Sequence, residues 1–407
     1  MVRTIETVVV GGGQAGLITS YLLKQQGREH IVLEAADKPI DRWRNHVWQS
    51  FTWVTPNALT RIPGVDTSDL DPDGFMTRDE IVSLFDTYHE QHELPVRCGV
   101  RVESVERQGD HYRLQTSEGE YIARNVVIAT GAFQQPKRPA VTSKLPEEIV
   151  QLHSSEFQSP ESLTPGAVLV VGSGQSGAQI AEELYQSGRK VYLSVSSVLR
   201  LPRRYRGKDA TFWMLKSGFA ERTVDQLDDP RERFKPNPLF SGKDGQRILN
   251  LHRFARDGVT LLGRVTDFRD GALILAADLH ENLAKADAAE VEFCLNVDRA
   301  IEKMGLTVPP ETLPQLTDGF QQPEIRALDL EQAGITSVIW ATGYTFDYSL
   351  VRLPVTDEYG YPRAVQHEDF PGLYFVGMPF VPTFKAGVAY GVGDVAQEAV
   401  SAIAARA

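Results

Sequence analysis

The sequence predicts an α/β fold: two Rossmann-like, doubly wound units, the second inserted into the first. Three observations predict it. The run GGGQAG at residues 11–16 stands between an apolar strand pattern and a helical one. The run GSGQSG at 172–177 does the same 161 positions further on. Two apolar stretches, NVVIATG at 125–131 and SVIWATG at 337–343, end in the same three residues. The two turns align without a gap, pairing Gly11 with Gly172, Gly13 with Gly174, Gln14 with Gln175, Gly16 with Gly177 and Gly27 with Gly188. One such turn is a weak signal; two in register, each between a strand and a helix, are a strong one.

Residues 4–10 read as a short buried strand, with Ile5, Val8, Val9 and Val10 stopped by three glycines. Residues 15–26 read as a helix, with Leu17, Ile18, Tyr21 and Leu22 at helical spacing and Gly27 as its C-cap. The run HIVL at 30–33 is the second strand, closed by Glu34. The same series returns as a strand at 167–171, a helix through Ile180 and Leu184, and a strand at 190–195. Thr77 and Glu80 form a capping-box pattern that opens a helix near 78–92. Residues 276–305 look helical, and a final helical stretch begins near Asp394. Linker-like segments rich in Pro and Ser lie at 134–146 and 158–166, with a similar one at 307–323. The expected organisation is an outer unit of residues 1–150 and 335–407. The inner unit covers 151–334, with an insertion near 205–330.

The glycine spacing has a physical reason. The first glycine permits the tight turn, the second lets backbone meet a pyrophosphate, and the third lets helix and strand pack closely. The helix N-terminus then offers free N–H groups to the phosphates. Gly11, Gly13 and Gly16 take these roles in the first unit, with Gln14 and Ala15 inside the turn. Gly172, Gly174 and Gly177 take them in the second, with Ser173, Gln175 and Ser176 between. Glu34 is a carboxylate placed to accept from a ribose diol and to repel a 2′-phosphate, which suits FAD or NAD. The second unit has Val195 at that offset, followed by Ser196, Ser197, Arg200 and Arg203. Arginine is the usual fork for phosphate, so NADPH is expected there, with NADH also admitted.

Composition excludes several classes. The net charge of −12 argues against nucleic acid, whose binding needs surplus Lys and Arg. The longest apolar stretches fall far short of the ~18 residues of a membrane helix. Residues 1–13 run almost directly into a strand pattern, leaving no room for a signal peptide's apolar segment. A cytoplasmic enzyme is expected, and composition leaves a homodimer open. Cys98 and Cys294 lie 196 positions apart and make no CxxC pair or metal-ligand spacing, so no metal site is expected.

Two dinucleotide turns about 160 residues apart, two ATG strand ends and the closing GLYFVG at 372–377 resemble the flavin-containing monooxygenases. These are class B flavoprotein monooxygenases, whose relatives include the plant indole-pyruvate monooxygenases. The resemblance covers nearly the whole chain and implies FAD in the outer unit and NADPH in the inner one. It implies that Arg42, Trp43 and Arg44 lie along the flavin. Asn57, in the turn SFTWVTPN, would approach flavin and nicotinamide as the catalytic residue. It places the backbone of Val102 by the adenine and Ala129, Thr130 and Gly131 under the FAD phosphates. Ala341, Thr342 and Gly343 form the matching strand end, while Gly377 and Asp394 would face the flavin ring. The family fingerprint FxGxxxHxxx is half present: LHSSEF supplies His153 and Phe157, but Glu147 and Ile149 replace its Phe and Gly.

The activity the resemblance implies is oxygenation of a small organic substrate by O2 through a C4a-(hydro)peroxyflavin, most readily at a soft N or S heteroatom. Baeyer–Villiger chemistry is an alternative within the family. A reductase passing electrons to a quinone, metal or protein is the alternative outside it. The substrate would be lined by residues 40–60, 205–245 and 378–390.

Overall fold

The computed structural model describes residues 2–243 and 248–406. Its first sheet has seven strands. In order they are Val96–Arg97, His30–Leu33, Val2–Val10, Gly119–Ile128, His111–Thr116 and Val102–Gln108, with Leu373–Phe375 on the far half of Gly119–Ile128. Val8, Val9, Val126, Val127 and Ile128 at its centre are fully buried. A strand covered on both faces needs such an uninterrupted apolar run. Strands Val2–Val10 and His30–Leu33 run parallel, joined by helix Gln14–Gln25. Helix Val392–Ala405 packs beside that helix and brings the end of the chain back to the first turn.

The second sheet is wholly parallel: Thr260–Leu262, Val191–Ser194, Ala167–Val171, Ile335–Trp340 and Val150–His153. It corrects the expected boundary at 335. Strand Ile335–Trp340 pairs with Ala167–Val171 and Val150–His153, so it belongs to the inner unit. The reason is internal symmetry. Ala129 N–H donates to Val10 O at 2.9 Å, and Ala341 N–H donates to Val171 O at 2.9 Å. Each ATG end therefore follows the strand that lies beside the glycine-turn strand of its own sheet.

A third, antiparallel sheet joins Val265–Arg269, Ala272–Leu275 and Ala327–Asp329. It matches the meander at the edge of the first sheet, except that 51 residues, 276–326, replace its tight turn. Those residues include the 25-residue helix Leu279–Lys303, as the helical pattern predicts. The helix Arg78–Gln91 opens on the expected capping box, with Thr77 N–H donating to Glu80 Oε2 at 2.7 Å.

Candidate functional site: two glycine-turn cradles

The first turn is held by contacts only glycine allows. Gly11 has φ +106°, and a Cβ there would lie 2.7 Å from Ala129 O. A Cβ on Gly16 would lie 1.9 Å from Gly11 O. Gly13 differs: φ is −76° and nothing lies within 4 Å of where its Cβ would be. That space stands before the N-terminus of helix Gln14–Gln25, which has no side-chain cap and no acidic residue in its first turn. Its N–H groups are thus free for an anion. Gln14 Nε2 is buried without a hydrogen-bond partner. Glu34 Oε2 accepts from Gly12 N–H at 2.6 Å and Oε1 from Ala36 N–H at 2.8 Å, which fixes the carboxylate at the mouth of the turn.

Around this cradle the structure gathers several expected residues. Gly377 packs on Ala15, where a Cβ would come within 2.5 Å. Gly131 O accepts from Tyr348 Oη at 2.9 Å and from Gln134 Nε2 at 2.8 Å, which locks the Ala129–Thr130–Gly131 end. Ile40 N–H donates to Gly12 O at 3.0 Å, which brings the short helix Asp41–Asn45 beside the turn. Its three expected residues then part. Trp43 meets the Phe51 ring at a tilt and the Trp53 ring edge-on, with centroids 5.4 and 5.9 Å away. Arg44 pairs with Asp86 at 2.6 Å. Arg42 donates to Tyr344 Oη at 2.6 Å, just beyond the second ATG end. Val102 lies on strand Val102–Gln108, opposite Thr116. The backbone of Glu34 bonds to that of Arg97 and Val100, each at 2.9 Å. Asp394 sits in the first turn of the last helix and pairs with Lys385 at 2.9 Å.

Asn57 opens a single 3-10 turn, Asn57–Leu59, and is almost fully buried. Its Nδ2 donates to Asp71 O at 3.0 Å, while Oδ1 is buried without a partner. An unmet buried acceptor costs about 1–3 kcal/mol, so a ligand donor there would be favoured.

The second turn repeats the backbone. Gly172 has φ +104° with a Cβ position 2.5 Å from Ala341 O, and Gly177 meets Gly172 O at 1.9 Å. Its side chains are spent internally. Ser173 is fully buried and accepts from Ser196 N–H at 3.0 Å. Gln175 Oε1 accepts from Phe240 N–H at 2.8 Å and its Nε2 donates to Phe240 O. Ser197 is exposed. His153, fully buried, donates from Nε2 to Gly343 O at 3.0 Å and meets the Tyr344 ring at 4.9 Å. Burial lowers its pKa, which favours the neutral ring, and its bond to Gly343 ties the ends of two neighbouring strands of the second sheet.

The two arginines expected as a phosphate fork are paired within the protein. Arg200 is buried and pairs with Glu290 at 2.7 Å and Asp287 at 2.8 Å, both on helix Leu279–Lys303. Arg203 is buried against Asp209, donates to Val54 O at 2.9 Å and lies over the Phe75 ring. Both guanidiniums are buried and already paired with carboxylates. Nothing in the local sequence revealed this, because the carboxylates lie up to 90 positions away. Phe240 was missed for the same reason. Tyr344 could have been found, since it directly follows the second ATG end.

The expected lining stretches do converge. Val54, Ala210, Met214, Phe219, Phe240, Phe380 and Phe384 form one apolar cluster. Of the stretch 205–245, residues 244 and 245 lie outside the described residues. Burial raises both thiols, Cys294 up to about 12, so neither is a ready nucleophile. Among the described residues no His/Cys/Asp/Glu group could hold a metal, and no helix is long and apolar enough to cross a membrane.

Two glycine-turn cradles in separate α/β sheets define a fold of the two-Rossmann-unit class. Comparisons agree. The pyridine nucleotide-disulphide oxidoreductase family profile matches residues 8–208. An oxidoreductase of Geobacillus kaustophilus described as CzcO-like is 29% identical over 99% of both chains. The indole-3-pyruvate monooxygenase YUCCA1 of Oryza sativa is 28% identical over 49% of this chain and 50% of that one. The flavin-containing monooxygenase of Stenotrophomonas maltophilia has the same fold, with a TM-score of 0.67 at 20% identity and 99% of both chains covered. The chain thus shares the fold of flavin-containing monooxygenases and is similar over nearly its whole length to proteins described as oxidoreductases.

Proposed function

We propose that this chain is an FAD- and NAD(P)H-dependent monooxygenase that oxygenates a small organic molecule at a soft nitrogen or sulfur atom. The observation that carries the reading is the pair of cradles joined at one seam. Arg42, beside the outer turn, holds Tyr344, which directly follows the second ATG end, and His153 of the inner sheet holds Gly343 next to it.

The outer cradle fits FAD by its own features: the empty space over Gly13, the unmet Gln14 amide and the fixed Glu34 carboxylate. The inner turn has the backbone to take a nicotinamide dinucleotide's phosphates at Gly172–Gly177. Bound FAD would accept a hydride and carry electrons to O2 for oxygen transfer. The protein's part is to bind, orient and keep water out. Gly13 and Gln14 would take the pyrophosphate, and Glu34 the ribose hydroxyls. Trp43, Phe51 and Trp53 form an apolar wall beside the first turn that excludes water. Asn57 offers a buried acceptor to an N–H donor of a bound ring. The cluster of Val54, Phe240, Phe380 and Phe384 would hold the apolar body of the substrate.

No Cys pair serves disulfide reduction here, since Cys98 and Cys294 are free and their thiols are raised. That separates the reading from a disulfide reductase, but not from a reductase for a quinone or a metal. The test is O2 uptake by the FAD-loaded protein with NADPH and a panel of amines and sulfides. Oxygenated product formed in step with O2 supports oxygenation. NADPH oxidation that delivers all its electrons to peroxide or to an added quinone, with every substrate, refutes it.

A further inference from the structure

The two cradles act as controls for each other. Gly13 faces open space, but a Cβ on Gly174 would touch Pro236 Cβ at 3.6 Å. Gln14 Nε2 has no partner, whereas Gln175 uses both ends of its amide on the Phe240 backbone. Segment 236–242 thus lies where a pyrophosphate would approach the second turn. Several contacts tie it down. Leu239 N–H donates to Leu199 O at 2.9 Å. Arg203 reaches Ser241 O at 3.4 Å and lies over the Phe240 ring. Gly242 is packed so closely that a Cβ would lie 2.1 Å from Trp53 O.

We propose that segment 236–242 is a strap that closes the second cradle in the free protein, and that Gln175 is its latch and a positioning residue. A nicotinamide dinucleotide binds there by displacing Pro236 and taking Gln175 from Phe240. This rests on the reading of the second cradle as the pyridine-nucleotide site. The strap also touches the outer unit at Trp53 and, through Arg203, at Val54, a few residues before Asn57. Its release therefore frees the segment leading to the Asn57 turn when the reductant arrives.

A closed strap lowers the apparent affinity by the fraction of time the cradle is open. Variants that pry it off should bind nucleotide more tightly. Gly242→Ala does so by the clash with Trp53 O, and Pro236→Gly by removing the ring over Gly174. The probe is NADP⁺, titrated calorimetrically into FAD-loaded protein, with amide hydrogen exchange on the native chain. The expected result is roughly 5- to 10-fold tighter NADP⁺ binding in either variant. In the native chain the amides of Leu239 and Phe240 should exchange faster with NADP⁺ while those of helix Gln175–Gln186 slow. A purely structural segment would give weaker or unchanged binding in the variants and no loss of protection at 239–240, and either result overturns the strap. The exchange experiment stands even if Gly242→Ala fails to fold. If neither NADPH nor NADH bleaches the flavin in native or variant protein, the pyridine-nucleotide reading itself falls, and the strap with it. Bleaching with a strap that stays protected overturns the strap alone.

Discussion

Replacing Gly13 by alanine separates a cofactor cradle from a merely tight turn. At φ −76° an alanine is unstrained, and its methyl would enter space with no atom within 4 Å. The fold should therefore tolerate it, with a gain of up to about 1 kcal/mol from the stiffer unfolded chain. Binding should not tolerate it, because the methyl fills the place where a pyrophosphate approaches the helix N-terminus. An overpacked contact costs about 1–3 kcal/mol. At about 1.4 kcal/mol per decade, FAD affinity should fall between roughly 5- and 150-fold. Gly16→Ala is the contrast. Its Cβ would sit 1.9 Å from Gly11 O, so helix and turn must move apart and the apoprotein itself should lose stability. The assay pairs urea unfolding of the apoproteins with FAD titration followed by flavin fluorescence. If Gly13→Ala binds FAD as tightly as the native chain, pyrophosphate does not sit over the first turn and the reasoning is wrong.

The other predictions concern the chemistry, the arginines and pH. Asn57→Ala should still let NADPH bleach the flavin but divert more O2 to peroxide; an unchanged ratio of product to peroxide removes Asn57 from the mechanism. Arg200→Met leaves Asp287 and Glu290 facing each other in a buried site, and should cost about 3–5 kcal/mol in urea unfolding. A fully stable Arg200→Met protein that has lost only NADPH affinity would restore the arginine as a phosphate fork. With that fork engaged elsewhere, flavin reduction by NADPH and NADH should differ by less than about tenfold in kcat/KM, far below what a bidentate Arg–phosphate pair provides. Burial lowers the pKa of His30, His153 and His252 below the ordinary 6.5. Below that pH the unfolded chain takes up these protons first, so stability falls as pH drops, by up to about 1.4 kcal/mol per pH unit for each histidine. Urea midpoints from pH 7.5 to 5 check the sign; a flat or rising midpoint contradicts it.

The parts of the fold legible in the sequence are those set by local chemistry. Glycines at 11, 13 and 16 between a buried strand and a helix allow one turn geometry, and their repetition at 172, 174 and 177 marks the second unit. The capping box at Thr77 and the long helix at 279–303 follow from short-range patterns as well. What pairs with what was hidden. The strand at 335–340 reads like the one at 123–128, and nothing in its residues says which sheet it joins. Its place depends on Ala341 N–H meeting Val171 O. The arginines after the second turn looked like a phosphate site because their sequence neighbours are polar. The true partners of Arg200, Asp287 and Glu290, arrive on a helix inserted where the first unit has a two-residue turn. Charge pairs closed over such distances leave no local signature. The same holds for Gln175 and Phe240, 65 positions apart.

The account depends most on what occupies the outer cradle. The direct measurement is the visible spectrum of the purified protein before and after NADPH is added without oxygen, with the coenzyme content per chain. One FAD per chain, released intact on denaturation and bleached by NADPH, is the predicted result. A chain that stays colourless after incubation with FAD, or a bound flavin that neither NADPH nor NADH reduces, contradicts it.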